Sequence, residues 1–349
     1  MDTLEAFERH RALPKESIPV VSGPLKEPIF RIKVDPDLPC NWQHFGRASI
    51  FFLDDDIVLK LQRQHPVAQL DLPSDDILLL LSLTGFSTSD LANETLARLK
   101  DSPCPNLAVE FDMGREGLSF SERLTPVTAV WAAATKNRRR RWAVEMTSAF
   151  AHLESLGLVP SHIAVQDLGI DRTGRLKLIS FANCPRRPSN TTEDDEQELD
   201  RYRRDMDRAH QRLACCLYYL LSGIDTDNGV VASMTSSADD LRTLRETVRR
   251  GEYQLDPEAS AVSEIIQAAW MKRSGTTTTF AQTAKAVRGV LDGLGMEQES
   301  ELPPVLTEAY YQSLDARCRE WANAQVLDPD WMGRAEYEVE CEKVGYYSV

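Results

Sequence analysis

Near residue 125 the chain changes its hydrophobic period, and this one feature narrows the folds open to it. Ahead of that point short apolar runs alternate with polar residues, the period of a half-buried strand. Beyond it apolar residues recur every three or four positions, the period of a helix with one buried face. ASIFFL and IVLKL flank Asp54, Asp55 and Asp56, two β-rich runs about a tight polar turn that predict an antiparallel hairpin. LAVEFD and LSFSERL about MGREG predict a second. IFRIKVD at 29–35, where Phe30, Ile32 and Val34 alternate with Arg31 and Lys33, predicts a leading strand after an irregular arm at 1–28 that carries Pro14, Pro19, Pro24 and Pro28. ILLLLSL at 77–83 is compatible with strand or helix. After Gly85, Leu91, Leu96 and Leu99 predict a helix capped from among Ser87, Thr88 and Ser89.

In the second part Trp142, Met146, Phe150 and Leu153 predict a helix that Ser155, Leu156 and Gly157 stop. VQDLGID and RLKLIS predict a strand pair joined by Arg172, Thr173 and Gly174. The polar stretch 185–207, with EDDEQELD at 193–200, predicts a mobile loop. Further helices are expected at about 207–222, 237–250, 259–271, 279–293 and 305–325. Near the terminus EYEVEC alternates Tyr337, Val339 and Cys341 against glutamates.

Composition removes several function classes. The 349 residues carry 54 Asp and Glu against 40 Lys and Arg, a formal charge of −14, which argues against a general nucleic-acid or membrane-surface binder. No run approaches the roughly 18 apolar residues of a membrane span, and the opening MDTLEAFERHRALPKES lacks the pattern of a secretion signal. An intracellular location, cytoplasmic or nuclear, is the expectation. Seven cysteines contain no C-x-x-C, six histidines form no metal spacing, and Cys215 and Cys216 sit in apolar LACCLYYLL as core residues. KNRRRR at 136–141 is read as a solvated or internally paired basic face.

A β-rich first third containing one helix, followed by a mainly helical remainder with a short strand pair, resembles the two lobes of a eukaryotic protein kinase. FAHLESLGLVPSHIAVQDLGIDRTGRLKLISFANC, 150–184, carries the most specific part of the resemblance, because it is similar to the kinase catalytic and metal-binding loops. The resemblance implies an α+β, two-lobed fold: an arm at 1–28, an N-lobe at 29–125, a C-lobe at 126–293 and an extension at 294–349. It places H-R-D on Pro160, Ser161 and His162, the following Asn on Asp167, and D-F-G on Ser180, Phe181 and Ala182. The β3 lysine falls on Lys60 and its helix partner on Glu94. The glycine-rich loop falls on Gly46, Ala48 and Phe51, and the adenine-facing hinge near Ser121, Glu122, Arg123 and Leu124.

The frame is kept while the reactive groups change. An imidazole, His162, stands where the proton-accepting aspartate belongs, and a hydroxyl, Ser180, stands where a carboxylate holds Mg²⁺. Phosphoryl transfer depends on neutralising spread negative charge, and these changes take away the carboxylate that would hold the neutralising metal. The resemblance therefore implies a pseudokinase that binds, scaffolds or regulates a protein partner, with ATP as its implied ligand and Asp167 as the one remaining Mg²⁺ ligand. The alternative is a divergent ATP-dependent Ser/Thr kinase or small-molecule phosphotransferase using Lys60, Glu94, His162 and Asp167. Trp331, Tyr346 and Tyr347 leave two readings of the extension, one packed back on its own domain and one docking a partner.

Overall fold

The computed structural model describes residues 28–34, 40–41, 48–67, 76–179, 181, 184–187, 196–226, 246, 247, 250, 252, 253, 255–270, 278–294 and 305–346. They divide into two compact units: 1–94 with 109–123 and 307–349, and 95–108 with 124–306. The architecture is α+β.

Unit 1 is built on an antiparallel sheet of β1 (Cys40–Asn41), β2 (Ala48–Phe52), β3 (Ile57–Gln62), β4 (Glu110–Asp112) and β5 (Leu118–Glu122), in the order β1-β2-β3-β5-β4. Both predicted hairpins form. Asp54 closes the first turn by accepting hydrogen bonds from the backbone N–H groups of Asp56 and Ile57. The register sets Phe51 opposite Leu59, Leu59 opposite Phe120 and Phe120 opposite Phe111, giving one apolar row across four strands. Helix α6 (Glu308–Ala324) covers that row: Leu314, Cys318 and Ala322, at helical spacing, are all buried against it. The Trp321 ring meets Phe120 edge-on at 5.7 Å. The extension thus packs back on unit 1 and is part of its core.

Three local expectations change. Of the strand expected at 29–35, the described residues 29–34 form no regular strand: Ile29 bridges Gln64 and Ile32 bridges Leu327. These two residues are three positions apart, which a two-residue period cannot serve from one edge. The run 77–83 and the helix after Gly85 are one helix, α1 (Asp76–Asp101). Ser82 and Thr84 turn their hydroxyls back onto the carbonyls of Leu78 and Leu80, and Ser87 does the same to Leu83 instead of capping. Gly85 passes in mid-helix because a Cβ there would lie 3.0 Å from the Gln62 side chain. Finally, EYEVEC lies in helix α7 (Arg334–Lys343), where Tyr337 and Cys341 are buried four residues apart and Val339 is exposed.

Unit 2 packs helices α2 (Lys136–Ser155), α3 (Glu196–Ser222), α4 (Ser263–Trp270) and α5 (Phe280–Asp292) around one core. Against them lies a small sheet of β6 (Thr125–Pro126), β7 (Leu168–Ile170) and β8 (Leu176–Leu178). Phe150 meets Phe280 edge-on at 5.5 Å, and Tyr218 meets Trp270 at 5.4 Å. Helix α3 begins inside the expected loop, because Glu198 and Asp200 near its start suit the positive end of the helix dipole. Of the helix expected at 237–250, the described residues 246, 247 and 250 are helical and the rest lies outside the described residues. The basic run opens α2 and is internally paired: Lys136 with Glu258, Arg140 with the Leu294 carbonyl, and Arg141 with Glu145 at 3.0 Å. Arg139 stacks over Trp131 at 3.7 Å. Among the described residues no helix is long and apolar enough to cross a membrane.

Candidate functional site

In unit 2 the loop between α2 and β7 is pinned at both ends. Gly157, at φ +73, turns the chain out of α2. Leu158 bridges Arg186, and the Val159 N–H donates to the Pro185 carbonyl at 2.8 Å. Ile163, Ala164 and Val165 are buried and fix the loop by apolar contact, which leaves His162 exposed between them and buried Ser161.

Asp167 closes the loop on itself. Its Oδ2 accepts the Ala164 N–H at 2.9 Å, and its own N–H donates to the Ala164 carbonyl at 2.9 Å. Its carbonyl takes the N–H of Ile179 at 2.8 Å, tying the loop to the residue after β8. Burial raises the carboxyl pKa to about 6, opposed by the Ala164 N–H and the charge of Arg212. Phe181 is buried. Ser180 and Ala182 lie outside the described residues.

Behind this loop is a charged cluster that motif reading missed. Glu145 on α2 takes Arg141 Nε at 3.0 Å and lies 3.9 Å from Arg175 Nη1. Its other oxygen accepts the Leu176 N–H at 2.9 Å, and all three charged side chains are buried. Burial raises the Glu145 pKa, while these hydrogen bonds and the two guanidinium charges lower it. Asp171 organises the β7–β8 turn by accepting from the N–H groups of Thr173 and Arg175 and from the Thr173 hydroxyl, with Lys177 Nζ at 3.8 Å. The signal in the sequence was Arg141 and Glu145 four apart on the face that also carries Trp142 and Ala149.

In unit 1 Lys60 does not meet the expected glutamate. Its Nζ pairs with Glu110 Oε1 at 2.7 Å, with side chains 20% and 6% exposed, while Glu94 is exposed on α1. The register explains this: Lys60 lies opposite Ser119 and Glu110 opposite Ser121, so lysine and glutamate project from the same sheet face and meet across the intervening strand β5. Phe51 is likewise not a loop residue. It belongs to β2, and its ring sits in the core edge-on to Phe30 at 5.9 Å. Gly46 falls in the β1–β2 connection, outside the described residues. Where the resemblance would set a hinge, the N–H of Glu122 donates to the Val109 carbonyl and that of Arg123 to the Asp56 carbonyl.

The described donor set does not fit a divalent cation. Asp167 is the single carboxylate of residues 158–167 and one of its oxygens already serves Ala164. Among the described residues no group of three His, Cys, Asp or Glu side chains converges on a metal position. No model of a known protein family matches the chain, and no curated protein matches it.

Proposed function

We propose that the chain is a degenerate protein-kinase-like protein, a pseudokinase that acts by binding, scaffolding or regulating a protein partner. One observation carries the reading: in each unit the charge that the kinase comparison assigns to nucleotide or metal is engaged locally. Lys60 is neutralised by Glu110 at 2.7 Å, and Asp167 turns a carboxylate oxygen onto its own loop. Phosphoryl transfer in a protein kinase needs that lysine held by the glutamate of the helix and a carboxylate left to hold metal; here the lysine is drawn to strand β4 instead, and the carboxylate is committed to its own loop. His162 and Ser180 supply neither the usual base nor the usual metal carboxylate.

The test is thermal unfolding of the full chain with millimolar ATP, with and without Mg²⁺, repeated on Lys60→Ala. A ligand present at 100 times its dissociation constant adds about 2.7 kcal/mol, a readily measured rise in midpoint. The expected result is no rise that depends on Mg²⁺ and Lys60 together. A rise needing both, accompanied by γ-phosphate transfer that His162→Ala abolishes, would overturn the proposal in favour of a divergent phosphotransferase.

A further inference from the structure

The end of the chain is held on unit 1 as a peptide ligand is held by a groove. Asp328 N–H donates to the Arg31 carbonyl at 2.9 Å, Lys33 N–H donates to the Val326 carbonyl at 3.1 Å, and Leu327 bridges Ile32. This is a short strand addition. Four residues on, the Gln64 side chain reads the backbone of Met332 in both directions: Nε2 donates to its carbonyl at 2.8 Å and Oε1 accepts its N–H at 3.0 Å. Gln64 is 1% exposed, so this amide has no water to fall back on.

Aromatic anchors follow. Trp331 packs 6.0 Å from Phe86 and lies so close over Gly117, at φ +75, that a Cβ there would sit 2.6 Å from the indole. Tyr337 is 1% exposed, lies 5.9 Å from Phe86, and its hydroxyl donates to the His65 carbonyl at 2.7 Å. Arg334 pairs with Asp90 of α1 and with Glu338, and its N–H reaches Glu116. The floor of the groove is Val67 with Leu79, Leu83 and Phe86, an i, i+4, i+7 stripe along α1.

The segment is anchored in a cluster of its own. Tyr337 and Cys341 of α7 belong to a group of six buried apolar residues, separate from the sheet cluster of eleven that holds α6. A helix of ten residues is not stable by itself in water, so α7 exists because of this docking. Segments held by few buried groups open at lower free energy than the core beside them.

We propose that Trp331–Tyr346 is a releasable strap, a cis-bound ligand of the Gln64–His65–Phe86 groove that undocks as a unit while α6 stays on the sheet. The groove selects a helical segment opened by a tryptophan, with an accessible backbone amide one residue later and a tyrosine six residues later. Release uncovers the apolar stripe of α1. The inference stands on these contacts alone and does not depend on the kinase-like reading.

Hydrogen exchange of the full chain, followed by mass spectrometry, tests it. Amides of 332–346 are expected to exchange faster than those of β3 and α6. Gln64→Ala should accelerate exchange across 332–346 by about tenfold, the effect of losing roughly 1.4 kcal/mol of hydrogen bonding, with β3 and α6 unchanged. A labelled synthetic peptide covering 326–346 should bind full-length Tyr337→Ala, or the milder Tyr337→Phe if the alanine variant does not fold, and bind the unaltered chain more weakly. Exchange of the tail at the same rate as β3 and α6 in both the unaltered chain and Gln64→Ala would overturn the proposal. So would a peptide that binds neither Tyr337 variant.

Discussion

Two side chains show how burial redirects charge that motif reading assigns to catalysis. Asp167 has its pKa raised to about 6 by burial, against an ordinary value of 3.8. A carboxyl whose folded pKa lies above its unfolded one takes up its proton earlier in the folded state. Its contribution therefore becomes more favourable as pH falls through 6, and is absent once both states are ionised. Between pH 7.5 and 5 this group alone should add about 1 kcal/mol to the unfolding free energy. Glu145 and Glu154, also raised by burial, act in the same sense, so the informative quantity is a difference. Urea midpoints of Asp167→Asn should lie above those of the unaltered chain at pH 7.5 and converge with them at pH 5; equal spacing at both values would refute the assignment. Lys60 gives the second case. Removing Glu110 leaves an ammonium on a largely covered strand, so Glu110→Ala should cost about 2 kcal/mol in urea denaturation. Glu94→Ala, on the exposed face of α1, should cost less than about 0.5 kcal/mol. The reverse ranking would restore the Lys60–Glu94 pair that the motif suggests.

At the scale of elements, legibility followed how local the deciding interaction was. The hairpins at 48–62 and 110–122 were legible because a few turn residues fix them, as Asp54 does with two backbone N–H groups. Helix α2 was legible from Trp142, Met146, Phe150 and Leu153. The segment 29–35 was not, since the partners of Ile29 and Ile32 are Gln64 and Leu327, the second nearly 300 residues away. EYEVEC fits a period of two as well as an i, i+4 pair, and only the groove that takes Tyr337 and Cys341 decides between them. The candidate site divides in the same way. The loop frame around Asp167 could be read from sequence, but the partner of Lys60 depends on strand register and could not. The joint between α2 and the β7–β8 hairpin is a third instance, because Glu145 serves two guanidinium groups and the Leu176 N–H at once. Glu145→Ala leaves Arg141 and Arg175 buried without that carboxylate, and should cost about 3 to 5 kcal/mol. Arg141→Met, which removes one charge and keeps an apolar stem, should cost clearly less. Comparable losses by chemical denaturation would mean that the cluster contributes by packing alone.

Over the whole molecule, the chain's two ends build one unit. Unit 1 takes residues up to 94, a short return at 109–123, and 307–349, so all the strands of its sheet lie far ahead of the covering helix α6 in the chain. The sequence left two readings of the extension beginning at 294, packed back on its own domain or docking a partner; Leu314, Cys318 and Ala322 follow the first and complete the apolar face formed by Phe51, Leu59, Leu61, Phe111 and Phe120. Contacts of such large sequence separation form slowly, because loop-closure entropy is lost before they reward it. During synthesis the sheet must wait, one face uncovered, for residues 308–324. Leu314 reports directly on that dependence, being fully buried on the one helix of this cluster that comes from the far end of the chain. Leu314→Ala should cost about 3 kcal/mol through lost burial and the cavity left behind. The loss should appear as faster hydrogen exchange in β2, β3 and β5, with α2 and α5 of unit 2 retaining their protection, because the affected core belongs to unit 1. Equal loss of protection in both units would show that they unfold as one cooperative body, and would move the C-terminal segment from a component of unit 1 to a determinant of the entire fold.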